Sequence, residues 1–379
     1  MKRVGIVTLY HKNNNYGGQL QAYAMQKLFS TDKSEAQLIA FEIHSGKYIT
    51  KRIRDLGLGK FVINIFRKVA FAICVKRSPV GSQYYLRKKR FGVFMDRASH
   101  TKLYSEEDIS ETNELFDIFV CGSDQVWNPG WWNDILLLRF THKSKYAYAA
   151  SIARETLEKE EMDLLENAIK DFKAISVREK QAKRLLSSIS DLEIEVVLDP
   201  TLLLDREEWY SISIPPAHEE KYALIYMLGT NWKVKKWLYT YCKSIGLTVI
   251  QIAFTKDIYF SAQMKYADIF IGDAGPEEWL GWIQNASCIF TDSFHGTVFS
   301  VIFEKDFWCF NSGRISDIKN INSRIYSFLD IIGLGDRLIQ EQDLTKNSIT
   351  HSAIEYDIVW SKLQLYRKNS YDFIKRIIE

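Results

Sequence analysis

Residues 287–303 constrain this chain more than any other stretch. Ser287-Cys-Ile-Phe-Thr291 is a short apolar run of the length and composition of a buried strand. Asp292-Ser293 breaks the run, and Phe294-His-Gly-Thr-Val-Phe-Ser-Val-Ile-Phe303 then reads as a helix. A strand that ends in a polar turn and passes directly to a helix is the repeating unit of an open parallel sheet. The unit recurs along the chain. Residues 3–9 run into Asn15, Gly17 and Gly18 before Leu20, Tyr23, Ala24 and Leu28 return at helical spacing. Residues 36–43 look like the next strand, and 115–121 end in the polar cluster Gly122–Pro129. Residues 145–153 read as strand and loop, and 174–177 stop at Arg178 ahead of a helix at 180–186. Residues 195–204 read as a strand broken by an Asp-Pro turn. Strands at 222–229, 247–252, 268–272 and 307–310 continue the series.

At 379 residues the chain exceeds one ordinary core. The pattern therefore predicts an α/β protein of two Rossmann-like domains facing a cleft, at 1–205 and 206–345. A helical tail over 346–379 follows, either one long amphipathic helix or two shorter ones. Residues 206–220, with Pro215-Pro216, read as a linker. Ligands of such sheets collect where strands end and helices begin, because free N–H groups and the helix dipole favour anions there.

The candidate functional residues sit at these strand ends. His295 lies at a helix start, where an imidazole can move protons beside a bound anion; a capped turn histidine bonded to backbone is the plainer reading of that residue alone. Arg178 ends a strand, where a guanidinium can fork onto a carboxylate or phosphate; an ion pair with Glu179 is its structural alternative. Asn15, Tyr16, Gly17, Gly18 and Gln19 form a loop that a ligand can approach closely, although it is neither a dinucleotide fingerprint nor a Walker loop. Asp124, Gln125 and Asn128 suit hydroxyl groups, and Trp127 suits a sugar face. Arg314 and Arg324 lie downstream of His295 on segments that can fold back over the same cleft.

Composition narrows the classes. Five scattered cysteines without a CxxC pair, and seven histidines without a paired spacing, argue for reduced thiols and no metal centre. Met1–Tyr10 reads as a first strand rather than a signal peptide, and the longest apolar window, 61–74, is broken by Arg67 and Lys68. A cytoplasmic protein is expected, with attachment at the inner face of a membrane left open. Between Lys47 and Arg97 stand fourteen Lys/Arg against two Asp, so the remainder of the chain is net acidic. This segment, about 47–100, reads as a basic helical insertion in the first domain. Its interleaved apolar residues fit an anionic membrane surface or a lipid-linked polyanion, and a merely solvated insertion fits equally. No nucleic-acid motif accompanies it.

Five motifs occur in order: Asn15-Tyr-Gly-Gly-Gln-Leu-Gln-Ala-Tyr-Ala24, Gly122-Ser-Asp-Gln-Val-Trp127, Ser176-Val-Arg-Glu179, Leu198-Asp-Pro-Thr-Leu202 and Asp292-Ser-Phe-His-Gly296. Together they resemble the polysaccharide pyruvyl transferase family over about residues 3–335, with the basic segment outside the match. The resemblance implies two Rossmann-like domains of the GT-B kind and transfer of the pyruvyl group of phosphoenolpyruvate to sugar hydroxyls. The acceptor is a sugar or lipid-linked oligosaccharide, and no cofactor beyond the co-substrate is needed. It implies that His295 is an active-site residue and that Arg178 matches the family's arginine. The chemistry of the transfer then assigns His295 as general acid/base and Arg178 as an anion clamp, with Ser293, Arg324 and Arg314 on the donor side. Residues 15–19 with Asp124, Gln125 and Trp127 fall on the acceptor side. Many family members carry arginine at the position of Ser293, so this chain departs from the pattern at that point. A nucleotide-sugar glycosyltransferase and a non-catalytic membrane-associated assembly factor are the alternatives. A Ser293/His295 hydrolase is disfavoured by the turn spacing and the lack of a nucleophile elbow.

Overall fold

The computed structural model describes residues 1–42, 79–229, 231–254, 266–311, 323–344, 349 and 352–379. Arg314 and the basic residues from Lys47 to Arg77 lie outside the described residues.

The strand–turn–helix units assemble into two all-parallel sheets. The first holds β1 (Lys2–Val7), β2 (Ser34–Phe41), β3 (His100–Tyr104), β4 (Ile118–Cys121), β5 (Ser144–Ala150), β6 (Phe172–Val177) and β7 (Ile194–Val196), in the spatial order 3-2-1-4-5-6-7. The second holds β8 (Tyr222–Tyr226), β9 (Thr248–Ile252), β10 (Ile269–Ile271), β11 (Cys288–Thr291), β12 (Asp306–Phe310) and β13 (Leu338–Ile339), in the order 10-9-8-11-12-13. Both orders reverse beside their first strand, at β1/β4 and at β8/β11. Such reversals open a crevice at the carboxyl ends of the strands. β4, β8 and β11 are buried throughout, as strands covered on both faces must be. The fold is therefore the doubly wound α/β pair expected.

Several elements differ from the sequence reading. β3 was not expected: His-Thr-Lys-Leu-Tyr lacks an apolar run, and only its pairing with β2 makes it a strand. The expected strand at 195–204 stops at Val196, and the chain turns through Pro200–Leu202. The stretch read as a linker contains a helix, Arg206–Ile212, whose Trp209 is buried edge-on against Phe299, with ring centroids 5.0 Å apart. Asp205 and the Trp209/Ile212 spacing carried that signal, which the proline pair masked.

The tail forms one helix, Tyr356–Ile378, and it returns to the first sheet. Leu198 N donates to Ser370 Oγ at 2.9 Å, and Lys33 pairs with Glu379 at 2.9 Å. The described end of the basic segment is the helix Pro79–Met95, here α2, after α1 (Tyr16–Phe29). Arg87 is buried, donating to Ala253 O at 2.7 Å and Asn14 O at 3.3 Å. Arg90 pairs with Asp273 and Glu278, each at 2.9 Å, and Arg97 pairs with Glu277 at 2.5 Å. Arg87 and Arg90, with Arg97 just past its end, tie α2 to the second sheet's unit. Among the described residues no helix is long and apolar enough to cross a membrane.

Candidate active site

The site lies where the two switch points meet. β11 ends at Thr291, and Ser293 caps the helix Phe294–Ile302, accepting from Gly296 N at 3.3 Å. That cap aims His295 back at the first sheet's unit. The imidazole packs against the first turn of α1, where a Cβ on Gly17 would overlap it. Glycine is therefore required at position 17 for a reason of close approach. On its other side His295 Nε2 lies 3.5 Å from Asp199 Oδ2.

Arg178 leaves the end of β6 with its guanidinium buried. It donates to Asp199 Oδ2 at 2.6 Å and lies 3.4 Å from Asp124 Oδ1. Arg324, on the helix Ser323–Ile332, reaches Asp124 Oδ1 at 3.6 Å from the opposite unit. Both guanidiniums lie over the Phe294 ring, at 4.3 and 5.7 Å from its centroid. Burial and the neighbouring Arg178 cation push Arg324 down to about 10. Burial alone would raise the Asp199 carboxyl, but His295, Arg178 and Thr201 outweigh it and hold that group well below the usual carboxylate range. Asp124 adopts φ 67°, and Gly122 beside it φ 119°, so the corner after β4 is bent to present the carboxylate between the two arginines.

The structure thus brings together His295, Arg178, Arg324, Asp124 and Gly17. It separates others. Tyr16 is fully buried, stacked on Trp279 at 5.3 Å and donating to Ala274 O at 2.9 Å. Trp127 is fully buried edge-on to Phe172 at 5.8 Å. Neither can meet a sugar in this arrangement. The physical reason is area: an aromatic ring gains several kcal/mol from complete burial, about 25 cal/mol per Å² removed from water, which exceeds what a partly wet stacking face offers. Asp124 is committed to the two arginines.

Asn15 caps α1 by accepting from Gly18 N at 3.3 Å, and Gln125 accepts from Asn128 at 2.9 Å. Gln19 donates to Asn13 O at 3.3 Å while its buried Oε1 has no partner. Ser293 is spent on its cap, and among the described residues Arg324 is the arginine that lies with Arg178 over Phe294. Asp199 was missed as a site residue; its only signal was a carboxylate at a strand end in Leu-Asp-Pro-Thr. Among the described residues no group of His, Cys, Asp and Glu is arranged to hold a metal ion.

A family model for polysaccharide pyruvyl transferase matches residues 15–314. The chain belongs to that family. Its membership makes it a transferase of polysaccharide biosynthesis. No curated protein sequence matches it. Among solved structures, the trehalose-6-phosphate phosphatase N-terminal domain of Candida albicans is similar at TM-score 0.52 and 10% identity, over 100% of this chain and 97% of that one. Anabaena HepE, solved in complex with UDP and glucose, is similar at TM-score 0.51 and 7% identity, over 100% and 99%. Arabidopsis thaliana UGT89C1 is similar at TM-score 0.50 and 8% identity, over 100% of both chains. At such identities the likeness bears on the fold alone, which is GT-B-like.

Proposed function

We propose that the protein transfers the pyruvyl group of phosphoenolpyruvate to hydroxyls of a sugar. The observation that carries this reading is the buried pair Arg178 and Arg324, held over Phe294, with Arg178 and His295 facing the same Asp199 oxygen. Two desolvated cations side by side repel, and a polyanionic donor relieves that repulsion. Their carboxylate and phosphate partners would come from the donor. His295 would protonate the donor's methylene carbon, leaving an oxocarbenium-like centre at the adjacent carbon. A sugar hydroxyl attacks that centre and returns its proton to His295. Phosphate then departs with the C–O bonding pair, and a second hydroxyl closes the ketal, its proton leaving with the phosphate. A positioned acid of this kind contributes about 10²–10⁴-fold.

The acceptor would enter beside the arginines. A cleft of about 220 Å³ lies between the helices Lys180–Leu186 and Ser323–Ile332, lined by Glu155, Gln181, Tyr326 and the Lys180–Asp330 ion pair among others. It begins two residues after Arg178 and one before Arg324 along the chain. Its hydrogen-bonding lining suits sugar hydroxyls better than the buried Tyr16 and Trp127 do. Whether that sugar is lipid-linked and whether the protein works at a membrane face belong to this proposal also.

A nucleotide-sugar transferase on the same fold would use backbone N–H groups after β8 for a diphosphate. Those of Leu228 and Gly229 already donate to Asp292, at 2.5 and 2.8 Å. The deciding experiment incubates the protein with phosphoenolpyruvate and a panel of galactosides and N-acetylhexosamines, reading the pyruvyl mass increment and released phosphate. The expected result is product that disappears in His295→Ala while the variant melts as wild type does. Stabilisation by UDP-sugars but not by phosphoenolpyruvate would replace the reading with the glycosyltransferase.

A further inference from the structure

The Leu198-Asp-Pro-Thr201 corner has no role in the chemistry above, yet it supplies the carboxylate nearest the imidazole. Asp199 is 1% exposed. Its Oδ1 accepts from Thr201 N at 3.1 Å and Thr201 Oγ1 at 2.6 Å. Its Oδ2 accepts from Arg178 at 2.6 Å and Ser123 Oγ at 3.2 Å, and faces His295 Nε2 at 3.5 Å. Ser123 is itself tied down, its carbonyl accepting from Thr8 Oγ1 at 3.0 Å. The carboxylate is thus fixed from the corners after β1, β4, β6 and β7 before the histidine of the other unit meets it. Asp124 and Arg324 are the next charged groups outward, joined to Asp199 only through Arg178.

We propose that Asp199 is a positioning residue: one buried carboxylate directs the Arg178 guanidinium and decides which nitrogen of His295 carries the hydrogen. An ionised carboxylate only accepts, so the neutral ring facing it must present N–H from Nε2. Nδ1 is then the lone-pair nitrogen, on the side where Gly17 leaves no side chain. The 3.5 Å separation is longer than a hydrogen bond, and contacts of this kind tighten when substrate binds. The arrangement also couples the two units. His295 comes from the second sheet and every group that fixes Asp199 comes from the first, so the acid and the clamp share a reference point only when both are in place.

The proposal builds on the His295 role above, but its test does not depend on transfer activity. In ligand-free protein labelled with ¹⁵N-histidine, long-range ¹H–¹⁵N correlations report the tautomer of the neutral ring, with His295 located by its absence in His295→Gln. The Nε2–H form is expected to dominate in wild type and to lose its majority in Asp199→Asn, whose amide can donate as well as accept. Thr201→Val removes one donor to Oδ1 but keeps the carboxylate, so the Nε2–H form should persist there. A dominant Nδ1–H form in wild type overturns the proposal, as does an unchanged tautomer in Asp199→Asn or equal loss in both variants. If Asp199→Asn does not fold, the wild-type tautomer still decides. An Nε2–H ring in a protein that releases no phosphate from phosphoenolpyruvate supports the positioning role while removing the pyruvyl reading.

Discussion

Two sets of buried or half-buried arginines do opposite work in this protein. On α2, Arg87 and Arg90 are matched by carbonyls and carboxylates of neighbouring segments. At the cleft, Arg178 and Arg324 share Asp124 and lie over one Phe294 ring, and burial together with the Arg178 cation pushes Arg324 down. A buried cation with its own partners fastens one element to another. Buried cations pressed together are a standing cost, and such costs concentrate where a ligand relieves them.

The comparison can be broken at its strongest point first. Arg178→Met leaves the buried Asp199 carboxylate facing only hydroxyls, a backbone N–H and His295, so about 3–5 kcal/mol of stability should go in a denaturant titration, along with transfer. A loss below 1 kcal/mol would mean that Asp199 is neutralised otherwise. Arg324→Met should separate the two roles: donor KM rises about tenfold or more, while melting temperature holds or increases because a repelling buried charge is gone. If melting falls as far as in Arg178→Met, Arg324 is structural and the distinction collapses.

Arg90→Met should do the reverse, lowering stability by about 1–2 kcal/mol with turnover unchanged, since it removes ion pairs to Asp273 and Glu278 and none to the residues around His295. The smallest effect is expected at the exposed pair Arg3–Asp117. Side-chain and backbone hydrogen bonds from Arg3 draw the Asp117 carboxyl down to about 2. That is below its unfolded value near 3.9, so its contribution is present above about pH 4 and disappears as pH falls toward 2. Solvent screening keeps it under about 1 kcal/mol, and Asp117→Asn should flatten only that stretch of the stability–pH curve.

The parts of the site that could be read from residue order are those with local causes. Ser293 caps because a serine precedes a helix, and Arg178 stands at a strand end because Ser-Val-Arg-Glu changes from strand to helix spacing. Asp199, by contrast, was visible only as a turn residue inside one of the five motifs, with no role attached to it. Nothing near it in sequence shows that Ser123 and Arg178 converge on it from 76 and 21 residues away. Trp127 and Tyr16 misled for the same reason: an aromatic ring beside a polar turn has one sequence signature whether it faces solvent or the next helix.

The sequence by itself determined the alternation of buried strands and helices, hence two parallel sheets, and placed His295 and Arg178 at strand ends. Strand periodicity and capping act over a few residues, so they survive in one dimension. Only the tertiary structure decided that Arg324 lies beside Arg178, that α2's arginines fasten it to the neighbouring unit and that Asp199 stands against the imidazole. Each of those depends on which distant carboxylate or carbonyl shares a desolvated space, and burial sets the strength of a charge.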